Sequence, residues 1–357
     1  MVLSIQFQLG MGGEKMSFEY IRKLPTPEEM KDFFPLNKEL VLNKARIDKE
    51  LRDIFEGKSN RFLIIIGPCS ADDEDAVVDY TVRLSKIQEK VKDKLLLIPR
   101  VYTNKPRTTG EGYKGMMHQP DPNEQPNISK GIQALRKLHI RVMNESGLTA
   151  ADEMLYPTNY PYVEDLLSYI AVGARSVENQ AHRLTVSGMD VPVGMKNPTS
   201  GDLKVMLNSI KAGQLPHTFI YNGYEVKTSG NPLVHAILRG AVNQYGRNIP
   251  NYHYEDLIYV SKIYPEIGLL NPALIVDTNH ANSKKKFEEQ PRIAMEVLRS
   301  MKYSDVIRKI VKGLLIESYI EDGRQDTPGQ VYGKSITDAC LGWEKTERLI
   351  YNIANEI

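Results

Sequence analysis

From Phe62 onward the chain alternates short, wholly apolar runs with longer stretches whose apolar residues recur every three or four positions. The first pattern suits a strand buried on both faces, and the second a helix with one apolar stripe. Eight runs of the first kind occur: FLIIIG (62–67), LLLIPRV (95–101), LTAADE (148–153), YIAVGAR (169–175), VPVGMK (191–196), HAILRG (235–240), ALIVD (273–277) and GLLIE (313–317). Between them lie stretches such as 76–90, where Val77, Tyr80, Thr81, Leu84 and Ile87 share one helical stripe. Strands alternating with helices predict parallel β/α units, and eight of them predict an α/β fold of the (β/α)8 TIM barrel type.

Two segments fall outside a minimal barrel. Residues 1–60 form an N-terminal extension ahead of a catalytic barrel spanning 61–357, with a helix predicted over 40–55 from Leu40, Leu42, Ala45, Ile47, Leu51 and Ile54. An apolar stripe ahead of a closed barrel needs a cover, which predicts an interface or regulatory element and a homodimer or homotetramer. The second segment, TFIYNGYEVKTSG (218–230), alternates apolar and polar residues around Asn222-Gly223. That dipeptide favours a two-residue hairpin turn, so an inserted β-hairpin is expected before strand 6.

Each run ends on or near a polar residue: Cys69, Arg100, Glu153, Arg175, Lys196, Arg239, His280 and Glu317. Carboxyl ends of barrel strands converge on one mouth, so these separated positions become one pocket. Arg100, Lys105, Arg175, Lys196 and Arg239 would repel one another there unless an anion neutralised them. A phosphorylated or carboxylated substrate is therefore expected. In the loop after the second strand, Pro106 restrains the backbone while Arg107 and Thr108 address a second phosphate. Cys69, His280, Glu317 and Asp338 offer a thiolate, an imidazole and two carboxylates, a set suited to a first-row transition metal.

Composition removes several function classes. With 357 residues, 41% apolar and 25% charged, the chain is ordinarily globular, and a net charge of +1 argues against general nucleic-acid binding. Lys284, Lys285 and Lys286 form the one notable basic run and read as a solvated helix end. Two cysteines, one near a strand end and one in a helix, make no disulfide framework. The segment MVLSIQFQLG has no basic n-region or cleavage site, Met11 and Met16 are alternative starts, and no apolar stretch reaches membrane-spanning length, so a cytoplasmic chain without membrane partners is expected. Gly110, Gly112 and Gly115 match G-x-G-x-x-G, but a polar segment precedes them and MMHQPDPNEQP, which cannot be a helix, follows. No nucleotide cofactor is expected.

GPCS, RVYTNKPRTTGEGYKG, GAR, VPVGMKN, LRG, DTNHANS and GKSITDACLGWE, in this order and spacing, resemble the metal-dependent DAHP synthases of the type I-alpha group. The resemblance runs from about Tyr20 to the end. It implies condensation of phosphoenolpyruvate with erythrose 4-phosphate, at the start of the shikimate pathway of aromatic amino acid biosynthesis. It also implies one divalent metal ion (Mn, Fe, Co or Zn) on Cys69, His280, Glu317 and Asp338. Phosphoenolpyruvate contacts fall on Arg100, Lys105, Arg175, Lys196 and Arg239, and erythrose 4-phosphate contacts on Pro106, Arg107 and Thr108. Glu153 matches a glutamate expected to orient water or a cationic partner. Lys105 is expected to protonate or hydrogen-bond a reacting oxygen.

A related expectation is 3-deoxy-D-manno-octulosonate 8-phosphate synthase chemistry, against which KPRTT and the long extension speak. A non-catalytic barrel binding a phosphometabolite is a third, against which the complete metal quartet speaks. The remaining histidines, His118, His139, His182, His217, His235 and His253, read as ordinary polar residues on loops and helices, and Cys340 as a small core residue. Family members often bind an aromatic amino acid effector. This sequence departs from the usual pattern at Asp190, Met195, Pro198 and Ser200, which predicts altered or absent inhibition.

Overall fold

All eight apolar runs form strands: β1 (Phe62–Gly67), β2 (Leu95–Pro99), β3 (Ala150–Glu153), β4 (Leu167–Val172), β5 (Val193–Lys196), β6 (Val234–Leu238), β7 (Leu274–Asp277) and β8 (Val311–Glu317). They belong to a computed structural model that describes residues 18–327 and 329–357, so MVLSIQFQLG, Met11 and Met16 lie outside the described residues. The strands pair in parallel in the order β2-β1-β8-β7-β6-β5-β4-β3. The remaining seam, between β2 and β3, is joined by a parallel bridge from Arg100 to Ala151 and by Val101 N–H donating to the Ala151 carbonyl at 2.9 Å. Each strand thus meets its neighbours and the sheet closes on itself.

Outside the barrel run α1 (Pro27–Phe33), α2 (Lys38–Phe55), α3 (Glu74–Val91), α4 (Ile128–Ser146), α5 (Gln180–Val186), α6 (Leu203–Gln214), α7 (Tyr254–Glu266), α8 (Gln290–Tyr303), α9 (Asp305–Ile310) and α10 (Trp343–Glu356). Short polar side chains start several of them: Asn37, Asp73, Asn127, Asn179 and Asp202 each accept a hydrogen bond from a backbone N–H of the first turn.

Successive residues of a strand point to opposite faces, which divides the core in two. Ile64 and Ile66 of β1 face outward into the layer under the helices, while Leu63 and Ile65 face the barrel interior. Ile47, Leu51, Ile54 and Phe55 of α2 belong to the interior cluster, together with Leu96, Tyr169, Ile237, Ile275 and Leu315. Helix α2 is therefore the floor of its own barrel. Its stripe is covered by the barrel itself and is not a surface waiting for a second subunit, while Phe18, Tyr20 and Ile21 ahead of it are each more than 80% exposed. His235 also lies in this interior, on a strand and not on a loop or helix. Its Nε2 is 2.7 Å from the Tyr169 hydroxyl and its ring stacks on Phe55, and burial pushes its pKa down to about 3.

The inserted hairpin pairs Thr218–Tyr221 with Tyr224–Lys227, and Asn222 and Gly223 both take positive φ, +50° and +80°. Those angles match the type I′ turn that suits the twist of a hairpin. A second ribbon, Ala241–Val242 against Asn248–Ile249, follows β6. Strands of two residues carry no periodicity, and nothing in the sequence announced it. Among the described residues no helix is long and apolar enough to cross a membrane.

Candidate active site

Register sets the first contact of the mouth. Gly67, the last residue of β1, lies opposite Glu317, the last residue of β8, so the chain leading to Cys69 passes beside the Glu317 carboxylate. Asp338 comes from far along the loop after β8. That loop folds back because Leu341 N–H donates to the Glu317 carbonyl at 3.0 Å and Gly323 pairs with Cys340. Cys340 is accordingly buried, as expected, but on an isolated bridge and not in a helix. Cys69 Sγ and one oxygen each of Glu317 and Asp338 lie within 4.8 Å of one another. A single ion about 2.0–2.3 Å from each would fit that spacing. His280 joins from the β7 side, its Nε2 3.8 Å from Glu317 Oε1.

Glu317 is fully buried and satisfied from three sides. Arg100 Nη2 donates to Oε1 at 3.1 Å, Asn279 Nδ2 donates to Oε2 at 2.6 Å, and Gln290 clamps its backbone N–H and carbonyl, both at 2.8 Å. Burial alone would raise its pKa, but the facing His280 ring and Arg100 guanidinium outweigh it and hold the carboxyl below its usual range. Asp338 is likewise held low against burial, chiefly by Lys105, then by Lys285. The Cys69 thiol goes the other way: burial, reinforced by Glu317, pushes it up to about 11, although Lys105 Nζ lies 2.5 Å from its sulfur. Without a metal the thiol keeps its proton at neutral pH.

The cations ring this cluster unequally. Arg100 is buried, stacked on Tyr102 with its guanidinium carbon 4.0 Å from the ring centroid, and its Nε and Nη1 have no hydrogen-bond partner among the described residues. Lys196 is buried at the end of β5, and Arg239 lies just past β6 with Nη1 unpartnered among the described residues. Burial lowers the Arg239 pKa, and Arg175 nearby adds to the effect. Gly240 turns the chain after Arg239 at φ +74°, where an added Cβ would sit 2.8 Å from the Ala281 backbone. Arg175 itself is exposed, because β4 stops at Val172 and leaves it on a loop. Glu153 ends β3 against Gly173, where an added Cβ would lie 2.2 Å from Glu153 Oε1.

The loop holding Lys105, Pro106, Arg107 and Thr108 has no regular structure, and neither has MMHQPDPNEQP after it. Arg107 Nε donates to the Tyr113 carbonyl at 2.8 Å, which ties the loop to itself, while Thr108 is exposed. The basic run differs from expectation. Lys284 and Lys285 take φ of +56° and +61°, which ends any helix there, and Lys285 Nζ reaches to 3.7 Å from Asp338 Oδ1. The sequence reading also passed over Asp277, Asn279 and Gln290. The first two lie in or beside the polar run DTNHANS that had singled out His280, so the signal was present; Gln290, at the start of α8, had none.

Comparison with known proteins agrees with this geometry. The sequence profile of the DAHP synthetase I family matches residues 36–350. A Haemophilus influenzae protein, phospho-2-dehydro-3-deoxyheptonate aldolase, is 35% identical over 99% of this chain and 96% of its own. The Tyr-sensitive phospho-2-dehydro-3-deoxyheptonate aldolase of Escherichia coli is 38% identical over 94% of this chain and 93% of its own. Among solved structures, phospho-2-dehydro-3-deoxyheptonate aldolase from Francisella tularensis superposes with a TM-score of 0.88 at 30% identity, covering 96% of this chain and 98% of that one.

Proposed function

The chain belongs to the DAHP synthetase I family, and from that premise we infer that it is a DAHP synthase. It condenses phosphoenolpyruvate with D-erythrose 4-phosphate and water, giving 3-deoxy-D-arabino-heptulosonate 7-phosphate and inorganic phosphate, the first step of the shikimate pathway. The observation that carries this reading is the mouth itself: a thiol and two carboxylates within 4.8 Å of one another, beside guanidinium groups whose buried N–H donors have no hydrogen-bond partner among the described residues.

Cys69, His280, Glu317 and Asp338 would hold one divalent ion, and their mixed donors admit manganese, iron, cobalt or zinc. Bound there, the ion supplies Lewis-acid polarisation of an aldehyde oxygen. Arg175, Lys196 and Arg239 hold the phosphate of phosphoenolpyruvate and Arg100 its carboxylate, which places C3 of the enol phosphate for attack on the aldehyde carbon. Attack leaves positive charge at C2, which water quenches before phosphate departs. Lys105 supplies a proton or hydrogen bond to the reacting oxygen: burial opposes its charge, but Cys69, Asp338 and Glu317 keep its pKa above the usual lysine value. Glu153 orients the water or a neighbouring cation. Pro106, Arg107 and Thr108 hold the phosphate of the four-carbon sugar.

Release of inorganic phosphate tests the reading. Protein supplied with Mn2+ and phosphoenolpyruvate should release phosphate with erythrose 4-phosphate and far less with arabinose 5-phosphate. Lys105→Met should lose at least about tenfold in turnover at saturating substrates, the lower end of what a proton donor contributes being larger still. Preference for arabinose 5-phosphate would move the protein to the eight-carbon product, and no phosphate with either sugar would leave a binding protein.

A further inference from the structure

Behind the site lies a carboxylate that the proposed chemistry does not use. Asp277 ends β7 with no exposed surface. Its Oδ1 accepts from the Asn279 N–H at 3.0 Å, and the Asn282 amide donates to its carbonyl at 2.8 Å, so the residue is fixed at both backbone and side chain. The other oxygen, Oδ2, faces two functional groups at once. It lies 2.8 Å from His280 Nδ1 and 3.7 Å from Lys196 Nζ.

The contact with His280 is bent off the ideal hydrogen-bond line, and neither Oδ2 nor Nδ1 has another hydrogen-bond partner among the described residues. Two buried polar atoms this close, with nothing else to satisfy them, are each other's partner. A carboxylate accepts only, so the proton of the neutral ring belongs on Nδ1. That leaves the Nε2 lone pair bare on the side of Glu317 Oε1, 3.8 Å away. His280 also sits at φ +47°, a conformation a non-glycine side chain holds only under constraint, so its ring direction depends on such an anchor. Toward Lys196 the distance is that of an ion pair but too long for a hydrogen bond. The oxygen attracts the ammonium without capturing it, leaving its donors for an incoming anion.

We infer that Asp277 is a positioning residue shared by the two halves of the site, aiming His280 Nε2 at the metal and Lys196 at the phosphate of the substrate. The inference rests on the reading of His280 as a metal ligand and Lys196 as a phosphate contact. It makes metal affinity and phosphoenolpyruvate affinity depend on one buried oxygen. Second-sphere partners of ligating histidines typically govern metal affinity by 10–100-fold.

Calorimetric titration of metal-free protein, with Mn2+ and separately with phosphoenolpyruvate, tests it. Asp277→Asn keeps the shape and gives up the charge. It should weaken Mn2+ binding about 10–100-fold and weaken phosphoenolpyruvate binding as well, whereas His280→Gln should weaken only Mn2+ and Lys196→Met only phosphoenolpyruvate. Imidazole 15N shifts should show Nδ1 protonated in the unaltered protein and a mixture of tautomers in Asp277→Asn, a change that loss of stability alone would not produce. If Asp277→Asn binds both ligands as the unaltered protein does, or loses only one, the shared role is wrong while the ligand assignment stands. If His280→Gln also binds Mn2+ unchanged, both fall together. Should Asp277→Asn fail to fold, the 15N shifts of the unaltered protein decide alone: a proton on Nε2 in the metal-free state overturns the inference.

Discussion

Asp72, three residues past Cys69, titrates in the opposite sense to Glu317 and Asp338. Burial, with the neighbouring Asp73 adding to it, raises its carboxyl to about 7, and its Oδ1 is buried without a hydrogen-bond partner among the described residues. The sign follows directly. A carboxyl whose folded pKa exceeds its unfolded value of about 3.9 is harmless at low pH and destabilises the fold as pH rises toward 7. Asp72→Asn is therefore expected to stabilise the protein increasingly from pH 5.5 to pH 8.5, by up to ~2 kcal/mol over that interval. Thermal unfolding of the two proteins at both pH values measures the gap; a gap independent of pH would mean that Asp72 ionises freely in the fold. Most of the expected ligands and cations of the mouth were read from the ends of the apolar runs. Nothing in the sequence signals that Asp72, in the same loop, has no cation acting on it among the described residues.

At the scale of elements, the strands were legible because a strand buried on both faces is a continuous apolar run. Their ends were less so. YIAVGAR carries the apolar pattern into a loop, and only the hydrogen bonding shows that β4 stops at Val172 and leaves Arg175 exposed beyond it. Helix α2 was legible as a helix, but an apolar stripe does not say what covers it. Leu51 has no exposed surface and packs with residues from the barrel interior. Leu51→Ala should cost ~2–5 kcal/mol in denaturant unfolding, as a cavity in a well-packed core does. A surface helix awaiting a partner would instead lose under ~1 kcal/mol in the monomer. The Asp338 loop was recognisable by its motif alone, since its position depends on backbone bridges between residues with no periodic pattern.

For the molecule as a whole, the sequence departures bear on control. Asp190 is exposed and Met195 is fully buried on β5, two of the four positions from which altered inhibition is expected. A carboxylate at position 190 would repel the carboxylate of an amino acid bound beside it. Steady-state titration with phenylalanine, tyrosine and tryptophan should show weak inhibition or none; half-inhibition by any of them at micromolar concentration would show that control survives those substitutions.

The seam between β1 and β8 joins residues nearly the whole chain apart: Leu63 pairs with Gly313 and Gly67 with Glu317. During synthesis β1 emerges early and its open edge stays without a partner until β8 arrives. Parallel pairing at such separation forms slowly, and unpaired strand edges invite association with other chains. A ribosome stalled before Val311 would thus carry a barrel with two sticky edges and an apolar interior open to the side. Chaperone demand should be concentrated in that interval, and it ends when the last strand docks on the first.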